Sequence, residues 1–216
     1  MSNQSLIRLL TWLSPAFPIG GYAWSSGLET ACQNGCVTDK LGLQRWILTS
    51  LSHGNLRNDA IFLAAVYRQE QPITELNELA LSMAGSKERY EETTGLGGAF
   101  IEASEPWRSS SPDSFPNPIA YPIAIGCMAL ENEIPLGDTM TGFFQASTNN
   151  QIQAALRLIK LGQKAGVELL AELEAEIQRA ALTAENSNLS KLGAAAISME
   201  IAAMNHETLP SRIFRS

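Results

Sequence analysis

Histidine and cysteine are scarce in this sequence. Its 216 residues include two histidines, His53 and His206, and three cysteines, Cys32, Cys36 and Cys127. Two histidines cannot supply a multi-histidine metal site or a histidine relay within one chain. An odd number of cysteines in a chain of this length does not fit a disulfide framework, so we expect a reducing, cytoplasmic setting.

A basic excess and a long apolar run are also missing. The sequence has 15 Lys and Arg residues against 22 Asp and Glu residues, which gives a net charge of −7. A nucleic-acid-binding protein needs a basic face to neutralise phosphates, so we expect no nucleic-acid partner. No window approaches the ~18 unbroken apolar residues of a membrane span, and the opening residues make a poor secretory signal. We therefore expect no membrane association.

Helical periodicity is what the sequence does contain. Apolar residues recur at helical spacing in almost every segment, whereas no alternating strand pattern of convincing length occurs. With 45% hydrophobic residues, the chain can bury a full core. We predict an all-α fold, a single domain over residues 1–216 built as a bundle of roughly eight to ten helices.

Two segments carry more specific structural predictions. The stretch "PWRSSSPDSFPNPIAYP", residues 106–122, holds five prolines and four serines, which predicts a long Pro/Ser-rich surface loop. The stretch "NLSKLGAAAISMEIAAMNHE", residues 188–207, is apolar on nearly all sides, which predicts a helix in the middle of the bundle.

Several helix boundaries can be predicted as well. Thr38 or Asp39 is a plausible N-cap for the helix that follows them. The patterns of residues 136–147 and 149–162 indicate two separate helices, whereas residues 164–182 indicate one continuous helix.

Motifs for catalysis or cofactor binding are weak. "GLGGAF", residues 95–100, lacks the spacing, the preceding strand and the Lys-Ser/Thr of a phosphate loop, so we interpret it as a helix break or a close helix crossing. Cys32 and Cys36 share a helical face, but two thiolates do not complete a metal site, and we interpret them as buried packing residues. No catalytic residue, metal site or cofactor is predicted, although a symmetric dimer could share a metal site built from paired His206 or cysteine side chains.

The stretch "LTWLSPAFPIGGYAWSSGLE", residues 10–29, crowds large apolar side chains into a turn that Pro and Gly keep from regular structure. Either these side chains fold into the core or a partner covers them. Trp12 and Leu13 are the expected core members, whereas Tyr22 and Trp24 are expected to be exposed.

Part of this stretch, "LSPAFPIGGYAWSSGLE", resembles the signature of the urease accessory protein F family (UreF). That family opens with Leu-Ser-Pro, an aromatic residue, Pro and Gly-Gly, followed by an aromatic-rich run and Gly-Leu-Glu. Three further segments are similar to the family: "RNDAIFLAAVYR", "YPIAIGCMA" and the ending "SMEIAAMNHETLPSRIFRS". The resemblance therefore spans the chain from end to end.

The resemblance implies a non-enzymatic, all-helical, cytoplasmic accessory protein for maturation of the nickel urease. Such proteins form dimers, bind the accessory protein UreD/UreH, recruit the GTPase UreG and engage apo-urease so that nickel can be delivered. Both chain ends of the family bind UreD/UreH, which here are residues 1–24 and the tail of residues 208–216. The resemblance assigns partner binding to Phe17, Tyr22, Trp24, Glu29, His206, Arg212, Ile213, Phe214 and Arg215.

Three other interpretations remain open. Ile213 and Phe214 of the tail could fold back onto the bundle instead of binding a partner. Arg212 or Arg215 could enter a GTPase site, which would make the chain a GTPase-activating protein. The chain could also be a general helical interaction module unrelated to urease. If the tail is only an interface, truncation after Glu207 leaves the melting temperature nearly unchanged and abolishes partner binding.

Overall fold

The computed structural model describes residues 2–111, 114–193 and 195–216. Within these ranges every regular element is helical, which confirms the all-α prediction. None of the described helices is long and apolar enough to cross a membrane. The α-helices are α1 (Asn3–Trp12), α2 (Leu28–Gln33), α3 (Lys40–His53), α4 (Asn55–Tyr67), α5 (Ile73–Ser82), α6 (Lys87–Ala103), α7 (Tyr121–Glu131), α8 (Leu136–Leu158), α9 (Gln163–Glu172), α10 (Glu174–Glu185) and α11 (Ile197–His206).

These eleven helices of the described ranges are close to the predicted eight to ten, and two boundaries differ from the prediction. Residues 136–158 form one helix where two were predicted. Thr148 at its middle is fully buried, so packing overrides the weak helix propensity of that region. The predicted single helix of residues 164–182 instead breaks at Leu173, which lies between α9 and α10 and is itself fully buried.

Side-chain caps fix the starts of three helices. The Asp39 carboxylate accepts the Gly42 N–H at 2.8 Å, which confirms one of the two predicted caps of α3. Ser2 caps α1 and Ser86 caps α6, each through a side-chain oxygen that accepts a backbone N–H at 3.1 Å. A cap of this kind stabilises a helix by about 1 kcal/mol. The cap of α6 also fixes the position of Glu88, which lies in the first turn of that helix.

The core is centred on α4. The segment from Ala60 to Ala65 is at most 2% exposed, so α4 is covered on all sides. It packs closely on α7, because a Cβ atom at Gly126 would lie 2.9 Å from the Leu63 carbonyl oxygen. The "GLGGAF" motif lies inside α6, where a Cβ atom at Gly97 would lie 2.2 Å from the Ile119 carbonyl oxygen. This motif is therefore a close approach within a continuous helix and not a helix break.

Trp12 packs the C-terminal end of α1 against this core. It is 1% exposed and meets Phe100 edge-on, with 5.9 Å between the ring centroids. Trp107 meets the same indole at 6.0 Å from a short 3-10 turn. Leu13 is half-buried and packs against the core. The prediction that Trp12 and Leu13 are core members is confirmed.

The prediction of a central, all-apolar helix near the end of the chain is wrong. The helix α11 begins only at Ile197, and it lies at the surface with Ile197 70% and Ile201 48% exposed. A Cβ atom at Gly27 would lie only 2.7 Å from the Ala203 nitrogen, so the small residues of α11 permit a close contact between backbones. They allow α11 to lie directly against the start of α2. Ala194, within the predicted helix, is outside the described residues.

The predicted loop of residues 106–122 is only partly described. Residues 108–111 and 114–120 contain no α-helix, whereas Pro112 and Asp113 lie outside the described residues, so the loop as a whole stays a prediction. Its predicted end is too late, because Tyr121 and Pro122 form the first turn of α7. Proline is well tolerated there, since the first helical N–H groups have no partner within the helix.

Candidate partner-binding site

The turn before α2 and the tail after α11 lie against each other. The Arg215 N–H donates to the Ala23 carbonyl oxygen at 2.8 Å, and the Ser25 N–H donates to the Ser216 carbonyl oxygen at 2.9 Å. The Ser25 hydroxyl group donates to the same Ser216 oxygen. The two segments that were predicted to bind a partner are therefore neighbours in space, although they lie at opposite ends of the sequence.

The aromatic residues of the opening turn divide into buried and exposed ones. Phe17 is 8% exposed and packs on Phe100, with 5.7 Å between the ring centroids. Tyr22 is 71% exposed, as expected. Trp24 is only 4% exposed, so the expectation that it is exposed is wrong. The tail covers it, because the Arg215 guanidinium lies 4.9 Å from the centroid of the Trp24 ring.

The tail of residues 208–216 folds back onto the bundle. Phe214 is 5% exposed, and its ring centroid lies 4.2 Å from the Arg157 guanidinium on α8. Ile213 is 56% exposed, and Arg212 and Arg215 are also exposed. The alternative that both apolar tail residues fold back thus holds for Phe214 and fails for Ile213.

A buried charge cluster ties the tail to α2, α6 and α11. His206 is fully buried, with Nδ1 at 2.7 Å from Glu88 Oε2 and Nε2 at 3.0 Å from Glu29 Oε2. The other oxygen of Glu88 accepts a hydrogen bond from the Arg212 guanidinium at 2.6 Å. An ionised carboxylate only accepts hydrogen bonds, so a His206 ring with both nitrogens protonated satisfies both contacts.

Glu29 is the anchor of the tail in this cluster. It is 1% exposed and accepts the Ile213 N–H at 2.8 Å and the Phe214 N–H at 2.9 Å. Burial alone raises the pKa of Glu29, but the hydrogen bonds from His206 and from these two N–H groups outweigh it, so the pKa lies below its ordinary value. Glu29 is therefore ionised at neutral pH and holds the tail by charge-assisted hydrogen bonds.

Metal-ligating side chains are not grouped in the part of the chain that the structure describes. Across residues 2–111, 114–193 and 195–216, no three His, Cys, Asp or Glu side chains are placed to hold a metal ion. Both ring nitrogens of His206 face carboxylates, so this residue is not available for a site shared across a dimer. Cys36 is exposed, which corrects the interpretation of Cys32 and Cys36 as a buried pair.

A second buried charge cluster lies beneath the opening turn. Arg89 contacts Asp59 Oδ2 at 2.5 Å and Glu92 Oε2 at 3.3 Å, and the Ser26 hydroxyl donates to the other Glu92 oxygen at 2.9 Å. Burial raises the pKa of Asp59 and of Glu92 above their ordinary values, although Arg89 opposes the shift. A cavity of about 500 Å³ borders this cluster and reaches the opening turn and α8.

Comparison with known proteins identifies the family. The family model for UreF matches residues 37–174, which is more than half of the chain. The chain belongs to the UreF family. Full-length relatives agree with this match. The urease accessory protein UreF of Agrobacterium fabrum is 45% identical over 215 residues, which cover 98% of this chain and 96% of that protein.

Two further relatives show the same full-length similarity. The urease accessory protein UreF of Rhizobium etli is 42% identical over 216 residues, covering 99% of this chain and 97% of the relative. The urease accessory protein UreF 1 of Brucella canis is 40% identical over 217 residues, covering 99% and 95%. The resemblance inferred from the opening and closing motifs is confirmed. UreF proteins are accessory proteins and not catalysts, so the prediction that the chain is not an enzyme is also confirmed.

Several residues of this UreF site could not be found from the sequence. Glu88 and Arg157 hold the tail, yet they lie 124 and 57 positions from the tail residues that they contact. No local pattern marks either residue, because a side chain that pairs across the fold has no partner at helical spacing. The family motifs did mark Glu29 and His206, but not that the two side chains contact each other.

Proposed function

We propose that this UreF protein acts in maturation of the nickel urease active site. It serves as a scaffold that links UreD/UreH, the GTPase UreG and apo-urease, and it regulates GTP-dependent nickel insertion. It works in the cytoplasm and as a homodimer. Family membership and the full-length similarity to urease accessory proteins support this role.

One observation carries the proposal for UreD/UreH. Of the residues assigned to partner binding, four are exposed on the opening turn and the tail: Tyr22, Arg212, Ile213 and Arg215. We call these four residues the turn–tail surface. The remaining residues assigned to partner binding are buried beneath this surface, where their contacts hold the turn and the tail in place. They are Phe17, Trp24, Glu29, His206 and Phe214.

The turn–tail surface has the chemistry of a protein interface. Tyr22 and Ile213 expose apolar side chains on backbone that long-range hydrogen bonds hold in place. Tyrosine and arginine are the residue types that most often dominate interface energetics. Because the tail is already ordered, little conformational entropy is lost when a partner binds. UreD/UreH therefore binds here, with Tyr22 and Ile213 at the centre of the contact.

The test is the affinity of UreD/UreH for alanine variants of the two central residues. Tyr22→Ala and Ile213→Ala each weaken binding, and the double variant weakens it by more than about 30-fold, which corresponds to about 2 kcal/mol. Leu182→Ala on α10 is the matched control, because Leu182 is 62% exposed and lies outside the surface. Circular dichroism and melting temperature stay at wild-type values in all variants. Wild-type affinity of the double variant would refute the assignment.

Two other functions, a general interaction module and a GTPase-activating protein, can be distinguished from the scaffold role. Family membership argues against a general module unrelated to urease. Arg212 pairs with Glu88 at 2.6 Å, so the hypothesis of a GTPase-activating arginine depends on Arg215. If Arg215 completed the UreG site, Arg215→Ala would lower GTP hydrolysis in the assembled complex by roughly 10³-fold or more while leaving assembly intact. We expect GTP turnover by the assembled complex to persist in that variant.

A further inference from the structure

Aromatic rings hold two arginines, Arg215 of the turn–tail surface and Arg157 of the neighbouring helix α8. The Arg157 guanidinium lies 4.2 Å from the centroid of the Phe214 ring, and its Nη1 donates to the Tyr22 carbonyl oxygen at 3.0 Å. The Arg215 guanidinium lies 4.9 Å from the centroid of the Trp24 ring. Both groups are therefore oriented by contacts with the two segments that form the surface.

Neither arginine has an anionic partner in the described part of the chain. No carboxylate of residues 2–111, 114–193 or 195–216 lies within 4.0 Å of Arg157 or Arg215. Arg89 differs, because it contacts Asp59 and Glu92.

A guanidinium stacked on a ring keeps its N–H groups pointing outward around its edge. That planar group matches the two oxygens of a carboxylate, and its pre-oriented donors lose little entropy when they bind. The aromatic contact itself contributes about 0.5–1 kcal/mol at an exposed site and uses no hydrogen-bond donor. Arg157 donates through Nη1 to the Tyr22 carbonyl oxygen, and its other N–H groups are left for a ligand. The two arginines therefore have the features of a carboxylate-recognition site.

The surroundings indicate a protein partner. The same surface exposes Tyr22 and Ile213, and an apolar centre with a charged rim is typical of protein interfaces. The chain as a whole carries a net charge of −7, so its overall field repels an acidic partner, whereas the two guanidinium groups attract one locally. Local cationic groups on such a chain determine the orientation of the partner.

We propose that Arg157 and Arg215 form a carboxylate-recognition pair that selects an acidic patch on the partner of the turn–tail surface. With Arg157, the proposed binding surface includes α8, whereas the sequence analysis placed it on the two chain ends alone. The inference rests on the proposed function, because it names the chemistry of the partner at that same surface. The partner presents Asp or Glu side chains to the two guanidinium groups, on the rim of its contact with Tyr22 and Ile213.

The experiment measures binding of purified UreD/UreH protein to the full-length chain at about 50 mM and about 300 mM NaCl, a range over which screening of exposed charges increases strongly. The variants are Arg157→Gln, Arg215→Gln and the double variant. Each single variant weakens binding by about 5–10-fold at low salt and slows association, and the double variant loses most of the salt dependence. The matched control is Lys164→Gln, which removes an equal charge from a side chain that is 91% exposed on α9.

A second measurement separates recognition from a purely structural role. Hydrogen exchange of the Phe214 amide, which donates to Glu29, reports whether the tail stays docked. The proposal requires weaker binding while this amide stays protected. It is overturned if the arginine variants keep wild-type affinity and salt dependence. It is equally overturned if they lose affinity only together with protection of that amide, because the arginines then merely hold the tail.

Failure of the proposed function gives a different result. If UreD/UreH does not bind the wild-type chain at either salt concentration, both the scaffold role and the recognition pair are wrong. If the wild type binds, and Tyr22→Ala weakens binding while Arg157→Gln and Arg215→Gln do not, the scaffold role stands and the recognition pair alone is refuted.

Discussion

Removing the His206 side chain is the sharpest test of the buried cluster that anchors the tail. His206→Ala leaves Glu29 and Glu88, which are 1% and 4% exposed, close to each other without the ring that separates them. Removing one partner from a buried pair of charges typically costs about 3–5 kcal/mol, because the remaining charge stays buried and uncompensated. We expect a loss of that size in the free energy of unfolding.

The expected change in melting temperature follows from the size of the chain. For a protein of this length each kcal/mol shifts the melting temperature by about 2–4 °C, so His206→Ala lowers it by roughly 6–20 °C. Urea and thermal unfolding followed by circular dichroism measure both quantities. His53→Ala is the matched control, because His53 is the other histidine of the sequence and lies exposed at the end of α3.

Two further measurements test whether the buried cluster stabilises the fold. His206→Gln keeps an amide that can donate to one of the two carboxylates, so its stability should lie between that of the wild type and that of His206→Ala. Hydrogen exchange at the Phe214 amide should also accelerate in His206→Ala, because Glu29 binds both groups. A His206→Ala protein within about 1 kcal/mol of the wild type would refute the view that the cluster stabilises the fold.

The hydrogen bonds of Glu29, the docking of the tail and the burial of the cysteines can each be tested separately. The pKa of Glu29 lies below its ordinary value of 4.5, so its contribution to stability is present above that pH and is lost as the pH falls through the folded-state pKa. Glu29→Gln should therefore flatten the acid limb of a stability–pH curve. Truncation after Glu207 should lower stability by about 2–4 kcal/mol, since Phe214 loses its burial and Glu29 loses two donors; an unchanged melting curve would contradict the docked tail. Iodoacetamide at neutral pH should modify the exposed Cys36 and spare Cys127, whose pKa burial raises to about 12; mass spectrometry with Cys36→Ser as the control checks this.

Local features of the fold could be predicted because their causes are local. Asp39 caps α3 through a hydrogen bond to a residue three positions later, and Trp12 follows the helical spacing of α1. Such features depend on a few consecutive residues, which the sequence displays directly. The same reasoning failed for α11, because small apolar residues fit a buried helix and a close surface contact equally well. The exposure of Ile197 and the position of Gly27 against Ala203 distinguish the two.

The family motifs pointed to residues of the candidate site but not to the contacts between them. The family motifs pointed to Glu29 and His206, yet only the fold brings their side chains to 3.0 Å. Trp24 was expected to be exposed in the free protein, with a partner as its cover. Its cover is the Arg215 guanidinium, from the opposite end of the chain. Contacts of this kind depend on the path of the whole chain, and no local pattern encodes them.

The closing contacts of the tail have a consequence for folding. Glu29 accepts hydrogen bonds from residues 184 and 185 positions later in the sequence. These hydrogen bonds can form only after almost all of these 216 residues have been synthesised. During synthesis the helices up to α10 can pack while the opening turn still lacks its cover. The turn–tail surface is complete only once the tail of residues 208–216 has been synthesised and has docked. A protein that binds this surface would therefore distinguish chains with a docked tail from chains that still lack one.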